Sequence, residues 1–339
     1  MTTSPLGVHS RLSRAMRILL TGCAGFIGWK VCEHLLDAGH KVTGVDNLHA
    51  AYDLRLKTWR LQQLQRRELD FRKLDICDRT GVQTLFAGER VPYDAVINLA
   101  ARAGVRQSLQ DPWGYFATNV IGTLNLLDAC RISGVPKFVL SSTSSVYGDG
   151  NRPFREDQPT DRPRSPYAAS KKSAETLCAT YHTLYGIDVT VLRYFTVYGP
   201  AGRPDMSIFR FIRWIAEGEP VVLYGDGTQE RDFTFVDDAA RGTVAALRPS
   251  GLATINLGSD RPVAIATILS MLERLLQRRA EIVRRPLHPA DVPATWADIS
   301  QARRILGWEP KTTLEDGLAL AVRWYMEQRA WAASIDLGD

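Results

Sequence analysis

Tyr167 and Lys171 stand four residues apart in Tyr167-Ala-Ala-Ser-Lys171, a spacing that puts both on one face of a helix started by Ser165-Pro166. An ammonium beside a phenol favours the phenolate, and a phenolate can take the proton of an alcohol. A tyrosine and a lysine at this spacing also describe an ordinary helix face, so the pair decides nothing alone. The weight comes from Ser141-Ser-Thr-Ser-Ser-Val-Tyr147, which ends the preceding strand and offers several hydroxyls where an alcohol-binding group is wanted. Together the two stretches fit alcohol oxidation better than packing, and that chemistry needs a hydride acceptor.

A site for one lies upstream. Thr21-Gly-Cys-Ala-Gly-Phe-Ile-Gly28 places Gly22, Gly25 and Gly28 between an apolar run and a helix. Gly22 and Gly25 let the backbone approach a pyrophosphate, Gly28 lets the helix pack on the sheet, and the helix N-terminus faces the phosphates. A tight strand-to-helix turn uses glycine too, but the strand and helix context favours the dinucleotide. Asp46 closes the second strand, where a carboxylate accepts from both adenosine ribose hydroxyls and repels a 2′-phosphate, which favours NAD over NADP. Capping of the following turn is its other reading. Asp75-Ile76 holds the adenine edge or forms a surface turn; spacing does not separate the two.

The elements that must position these groups follow from periodicity. Arg17 to Leu20, Lys41 to Val45, Ala95 to Leu99, Lys137 to Ser141 and Val189 to Leu192 are predicted strands, with amphipathic stretches between them. That alternation implies an α/β fold, a Rossmann-type doubly wound parallel sheet with ligands at the carboxyl ends of its strands. After Gly199 the alternation weakens. A helix over Ser207 to Glu217 leads to the turn-rich Tyr224 to Thr228, which reads as a smaller C-terminal substrate-binding lobe. Thr254 to Leu257 is one more strand, returning to the sheet before helices at Ile265 to Gln277 and Leu314 to Gln328. The expected division is a flexible leader (1–15), an NAD-binding domain (16–198, with a return segment near 236–262) and the smaller lobe (199–235 and 263–339).

Composition bounds the function. The chain has 339 residues, 45% hydrophobic and 23% charged, which suffices for an ordinary globular core. The net charge of +5 is dispersed, so it reads as a solvated basic surface and supports no nucleic-acid partner. Cys23, Cys32, Cys77, Cys130 and Cys178 contain no C-x-x-C pair and suggest no disulfide framework; a reducing cytoplasmic setting is expected, and no metal is assigned. No apolar run reaches the roughly 18 residues of a membrane span, and Met1 to Ala15 lacks the apolar centre of a secretory signal, so no membrane partner is expected.

The glycine pattern, the hydroxyl stretch ending in Val-Tyr-Gly148 and the Tyr-x-x-x-Lys resemble the extended short-chain dehydrogenase family of NAD-dependent epimerases and dehydratases, over nearly the whole chain from Arg17. Within it the likeness is to UDP-glucuronate 4-epimerases, through Leu99-Ala-Ala-Arg-Ala-Gly-Val-Arg106 and Tyr194-Phe-Thr-Val-Tyr-Gly-Pro-Ala-Gly-Arg-Pro-Asp-Met206. The resemblance implies that Tyr167 is the base, that Lys171 anchors the nicotinamide ribose and tunes Tyr167, and that Thr143 bonds the reacting hydroxyl. It places Gly22, Gly25, Phe26, Ile27, Gly28, Asp46, Asn47, Asp75, Ile76, Leu99, Ala100 and Ala101 around NAD, together with Tyr167 and Lys171.

Relatives that dehydrate or decarboxylate carry an acid in the hydroxyl stretch, where this chain has Ser144 and Ser145; that ranks dehydration low. The implied cycle oxidises C4 to a ketone, turns the sugar about its diphosphate and returns the hydride. A 6-carboxylate makes the intermediate a β-keto acid, which loses carbon dioxide readily. By resemblance Thr196 and Arg203 hold that carboxylate, helped by Ser144 and Ser145, an arginine fork suiting a carboxylate; a surface ion pair is the other reading of Arg203. Arg231 resembles the arginine that grips the diphosphate, Asp291 the carboxylate near the uridine ribose, and the stretch from Met206 with Val222 to Tyr224 would flank the base. His288 stands where relatives carry Arg or Gln and Ala290 replaces a glycine, which leaves the contact at 288 open. Arg106 is a phosphate or carboxylate contact or a structural cap. The helices around Gly114 to Ser133 and Tyr167 to Tyr185 resemble a four-helix dimer interface, so a homodimer is expected. The rivals are a UDP-glucose/UDP-galactose 4-epimerase, whose kind usually has an amide at Thr196, a UDP-glucuronate decarboxylase, and a catalytically silent NAD-binding protein, which would be expected to lose Tyr167, Lys171 or the hydroxyl stretch.

Overall fold

The computed structural model describes residues 14–287 and 292–338. Most of the leader, with His288, Ala290 and Asp291, lies outside the described residues. The first half alternates strand and helix as periodicity requires: β1 (Arg17–Thr21), α1 (Phe26–Asp37), β2 (Lys41–Asp46), α2 (Leu54–Gln65), β3 (Asp70–Lys73), α3 (Arg79–Ala87) and β4 (Ala95–Asn98). Then come the short α4 (Val105–Gln110) and α5 (Pro112–Phe116), a π-helical turn over Ala117–Ile121, α6 (Gly122–Ser133), β5 (Lys137–Thr143), α7 (Pro166–Tyr185) and β6 (Asp188–Tyr194). In the second half, β7 (Thr196–Tyr198), α8 (Ser207–Glu217), β8 (Val221–Tyr224), β9 (Glu230–Phe235) and α9 (Val236–Ala245) precede β10 (Leu252–Leu257). The chain ends through β11 (Pro262–Ala264), α10 (Ile265–Leu276), β12 (Ile282–Arg285) and α11 (Leu314–Ala332).

Seven strands form one parallel sheet in the order β10-β6-β5-β4-β1-β2-β3. Its central strands are buried along their length, β5 at every position, because helices cover both faces. The chain builds outward from β1 to β3, then reverses through β4, β5, β6 and β10, so the switch point falls between β1 and β4. Thr21 pairs there with both Val45 and Asn98, which levels three carboxyl ends and opens a crevice above them. The predicted strand at Thr254 does return to the sheet, starting two residues earlier, at Leu252.

Two strands run further than predicted. β5 continues through Ser142 and Thr143 and β6 through Arg193 and Tyr194, since their polar atoms find partners: Ser142 Oγ donates to Glu175 Oε1 at 2.6 Å, and Arg193 donates to both Glu175 oxygens at 2.9 and 2.8 Å. Outside the sheet, β7 pairs with β9 and β9 with β11, β12 pairs with β8, and α8 buries Ile208, Phe209, Phe211, Ile212 and Ile215 on one face. None of the helices is long and apolar enough to cross a membrane among the described residues.

Candidate active site

The glycine-rich turn shows why it needs glycines. Gly22 has φ +74°, and a Cβ there would lie 2.7 Å from the Ala100 nitrogen and the Leu99 carbonyl carbon. At Gly28 a Cβ would stand 2.0 Å from the Gly22 oxygen, so only glycine lets α1 start this close to β1. Gly25 caps α1 with no side-chain acceptor, leaving the first N–H groups of the helix for a phosphate. Asp46 is buried; one oxygen accepts from Leu48 N at 2.8 Å, capping the turn, and the other accepts from Ala24 N at 3.2 Å, within the glycine-rich turn. Lys57 Nζ, from α2, reaches the first oxygen at 3.2 Å. The sequence reading missed Lys57, whose place on a buried helix face shows only in the fold. Asp75 accepts from Asn47 Nδ2 at 2.9 Å and from Cys77 N at 2.8 Å, so it is tied into the crevice wall rather than loose at the surface.

These groups line a cleft of about 460 Å³, and Phe26, Ile27, Ile76, Leu99, Ala100 and Ala101 lie along the same wall. The backbone approach at Gly22, the uncapped helix start and the carboxylates beyond it fit a dinucleotide, and nothing in the turn obstructs one.

At the far end of the cleft stand the groups that could move protons. Ser165 caps α7, accepting from Ala168 N at 3.1 Å, and Pro166 follows it, as the sequence predicts. Tyr167 projects from the first turn and shares a hydrogen bond with Thr143. Thr143 accepts from Ser145 N at 3.1 Å and donates to Ser145 Oγ at 3.2 Å. Lys171 is buried and donates to the Ser141 carbonyl at 2.7 Å and to Ser141 Oγ at 3.3 Å. Burial drives its ammonium down to about 8, with Glu175 one turn on opposing the drop. The Tyr167 phenol is raised by burial and held back by the Thr143 hydrogen bond and the charge of Arg203. Lys171 is turned onto Ser141, and the charge of Arg203 also acts on the phenol.

Ser144, Ser145, Thr196, Arg203 and Met206 line the same cleft. Arg203 is no surface pair. Its side chain is 20% exposed and its fork grips Asp205, Nε to Oδ1 at 3.0 Å and Nη2 to Oδ2 at 2.6 Å, while Nη2 also donates to the Ala103 carbonyl at 3.0 Å. Burial works against its charge and Asp205 outweighs that.

Two further candidates stand apart from this lining. Arg106 is not the cap of α4, a place held by Gly104; its guanidinium lies 4.2 Å from the ring centre of Tyr224 on β8, joining the sheet domain to the segment expected to flank the base. Arg231 Nη1 donates to the carbonyls of Glu230 at 2.8 Å and Pro293 at 3.5 Å. His288 and Asp291 lie outside the described residues. Asn119 was also missed: the π-helical turn buries its side chain, which accepts from Arg102 N at 2.9 Å and donates to the Arg102 carbonyl and to Ser170 Oγ on the Tyr167 helix. Residues 117–121 read as ordinary helix in sequence, so no local signal marked it. Among the described residues no group of three or more His, Cys, Asp or Glu is placed to hold a metal ion.

A family model described as the NAD dependent epimerase/dehydratase family matches residues 18–258. The chain is 54% identical over 311 residues to a UDP-glucuronate 4-epimerase of Thermodesulfobacterium geofontis, spanning 91% of this chain and 96% of that one. The UDP-glucuronic acid 4-epimerase of Bacillus cereus, solved with UDP-glucuronic acid and NAD, superposes with TM-score 0.86 at 40% identity, covering 92% of this chain and all of that one. The UDP-glucose 4-epimerase of Thermotoga maritima, solved with UDP-glucose, gives TM-score 0.84 at 34% identity, covering 93% of this chain and all of that one. The chain belongs to the NAD-dependent epimerase/dehydratase family. It is an NAD-dependent enzyme of the epimerase class.

Proposed function

We propose that the protein is a UDP-sugar 4-epimerase that interconverts UDP-glucuronate and UDP-galacturonate. The observation that carries this reading is Arg203, half-buried and oriented by Asp205, lining the same cleft as Tyr167, Thr143, Ser144, Ser145 and Thr196. A half-buried guanidinium charge beside an alcohol-oxidising tyrosine suits a sugar whose C6 is a carboxylate and has no such partner on a C6 alcohol. The 54% identical relative carries the same activity in its name.

NAD, when bound, accepts the C4 hydride of the sugar and gives it back. Gly22, Gly25 and Gly28 admit its pyrophosphate, while Asp46, Asn47 and Asp75 hold its adenosine end and Lys171 its nicotinamide ribose. Thr143 bonds the C4 hydroxyl and Tyr167 takes its proton, to return it once the sugar has turned to present its other face. Between those events the ketone sits β to the carboxylate. If the C5–C6 bond lined up with the carbonyl π system, its electron pair would pass to the C4 oxygen, carbon dioxide would leave and C5 would take a proton. Arg203 and Thr196, with Ser144 and Ser145, hold the carboxylate out of that alignment. Arg231 and Asp291 serve the diphosphate and uridine, and Arg106 steadies Tyr224 beside the base. In this reading residues 16–198 with 236–262 hold NAD, and 199–235 with 263–339 hold the sugar nucleotide.

The protein acts as a homodimer. The apolar groups left exposed on α5, α6 and α7 support it: Trp113 is 84% exposed, Leu184 64% and Ile132 60%. Sedimentation should give twice the chain mass for the wild type and the chain mass for Leu184→Glu with Trp113→Glu; a monomeric wild type would contradict the dimer. Five free cysteines, four of them buried, suit the cytoplasm. The test of the activity is incubation of the purified protein with UDP-glucuronate, UDP-glucose and UDP-xylose separately, without added NAD, and resolution of products by chromatography and NMR. UDP-galacturonate from UDP-glucuronate alone is expected. Turnover of UDP-glucose instead would mean that Arg203 is misassigned, and a UDP-pentose from UDP-glucuronate would mean that decarboxylation is the reaction.

A further inference from the structure

Arg60 on α2 is among the largest fully buried side chains of the molecule, and among the described residues no carboxylate lies within ion-pair distance of it. Its partners are carbonyls from two separate loops. Nη1 donates to Ala24 of the glycine-rich turn at 3.2 Å; Nε and Nη2 donate to Ala201 at 3.1 and 2.7 Å, and Nη2 to Gly202 at 3.3 Å. Nη1 also donates to the Tyr52 hydroxyl at 2.7 Å, and the Tyr52 ring centre lies 5.8 Å from the Arg203 guanidinium.

A buried cation without an anion is costly, and filling the same space would need only an aliphatic side chain. What an aliphatic chain lacks is donors, and it would leave the carbonyls of Ala24, Ala201 and Gly202 unpaired in the interior. Only a guanidinium sends several donors in fixed directions to two separate loops from one side chain. Ala201 adds an independent sign. It is a fully buried non-glycine residue at φ +50°, in the left-handed region, and its carbonyl receives two of the Arg60 donors. Such a conformation persists where the surroundings over-determine it. Two residues further on stands Arg203. On the other side, Ala24 donates its own N–H to Asp46, the carboxylate expected at the adenosine ribose.

We propose that Arg60 is a positioning residue that fixes the Arg203 loop to the dinucleotide turn, so that retention of NAD and the grip on the sugar carboxylate are set by one side chain. The proposal rests on the reading of Arg203 given above. The test uses purified holoprotein of the wild type, Arg60→Met, Arg60→Lys and Tyr52→Phe. Three quantities are measured: NAD retained per protomer after dialysis, KM and kcat for UDP-glucuronate, and the fraction of turnovers that release carbon dioxide with a 4-keto UDP-pentose. Arg60→Met is expected to lose NAD on dialysis, to raise KM at least about tenfold and to raise the carbon dioxide fraction, since a small misplacement of a binding group has effects of this order. Arg60→Lys should recover part of all three, and Tyr52→Phe should move them slightly in the same direction. A side chain that only stabilises the fold would lower the melting temperature and leave the carbon dioxide fraction and KM at wild-type values, and that result overturns the proposal. Should Arg60→Met fail to fold, Arg60→Lys and Tyr52→Phe decide: wild-type values in both overturn it. If the wild type does not turn over UDP-glucuronate, the activity reading fails separately, and NAD retention in Arg60→Met, unchanged or lost, still judges the link to the dinucleotide turn.

Discussion

Glu175→Gln should move the alkaline limit of activity to lower pH. Burial holds the Lys171 ammonium down near about 8, so Lys171 is charged below that pH and neutral above it, and Glu175 is the group that resists the drop. The two residues are one helical turn apart, and a unit charge about 6 Å away at an effective dielectric near 20 is worth about 3 kcal/mol, or roughly two pH units. Arg193 holds both Glu175 oxygens at 2.8 and 2.9 Å and cancels part of that field. The net expectation is a downward shift of about one unit. The assay is the pH profile of kcat/KM for UDP-glucuronate, with circular dichroism as a check on folding, because removing one partner of a buried ion pair costs about 3–5 kcal/mol. An unmoved limb, or one displaced upward, would refute the electrostatic reasoning. Lys171 also gives a sign for stability. Its folded-state value lies below the ordinary 10.5, so between about 8 and 10.5 the unfolded chain binds the extra proton, and this residue's contribution to stability rises with pH across that window.

Tyr167→Phe should lower turnover by about 10²–10⁴-fold, the usual contribution of a positioned base, while NAD stays bound; unchanged turnover removes Tyr167 from its role. Gly22→Ala should yield protein without NAD, because the new methyl meets the backbone of Leu99 and Ala100 at 2.7 Å in a left-handed conformation; release of NAD on denaturation measures it. Arg203→Ala should lower kcat/KM for UDP-glucuronate by about 100-fold, the loss of about 3 kcal/mol from a charge-assisted contact. Binding of UDP should be unaffected by that change, which calorimetry reports, and more of the turnovers should end in carbon dioxide.

The fold was legible because its signals are local. Strand runs, the Ser165-Pro166 helix start and the return strand around Thr254 each announce themselves within a few residues, and the glycines at 22, 25 and 28 state a backbone requirement that no other residue meets. What was not legible depends on tertiary neighbours. β3 is an exposed edge strand, Asp-Phe-Arg-Lys, without a buried face to give it a pattern. Lys57 and Arg60 read as polar residues on an amphipathic helix, yet both are buried, because carboxylate and carbonyl partners come from segments distant in sequence. Asn119 acts through a π-helical turn that periodicity cannot register. The pairing of Arg203 with Asp205 was within reach, two residues apart in sequence; its burial in the cleft was not.

The most direct test of the central claim is the fate of a label at C4. UDP-glucuronate carrying deuterium at C4 is converted in ordinary water and the UDP-galacturonate is read by proton NMR. Deuterium retained at C4, with no solvent hydrogen exchanged into C5, is expected if one site removes the hydride and returns it to the same carbon. Loss of the label to water, or exchange at C5, would contradict the account.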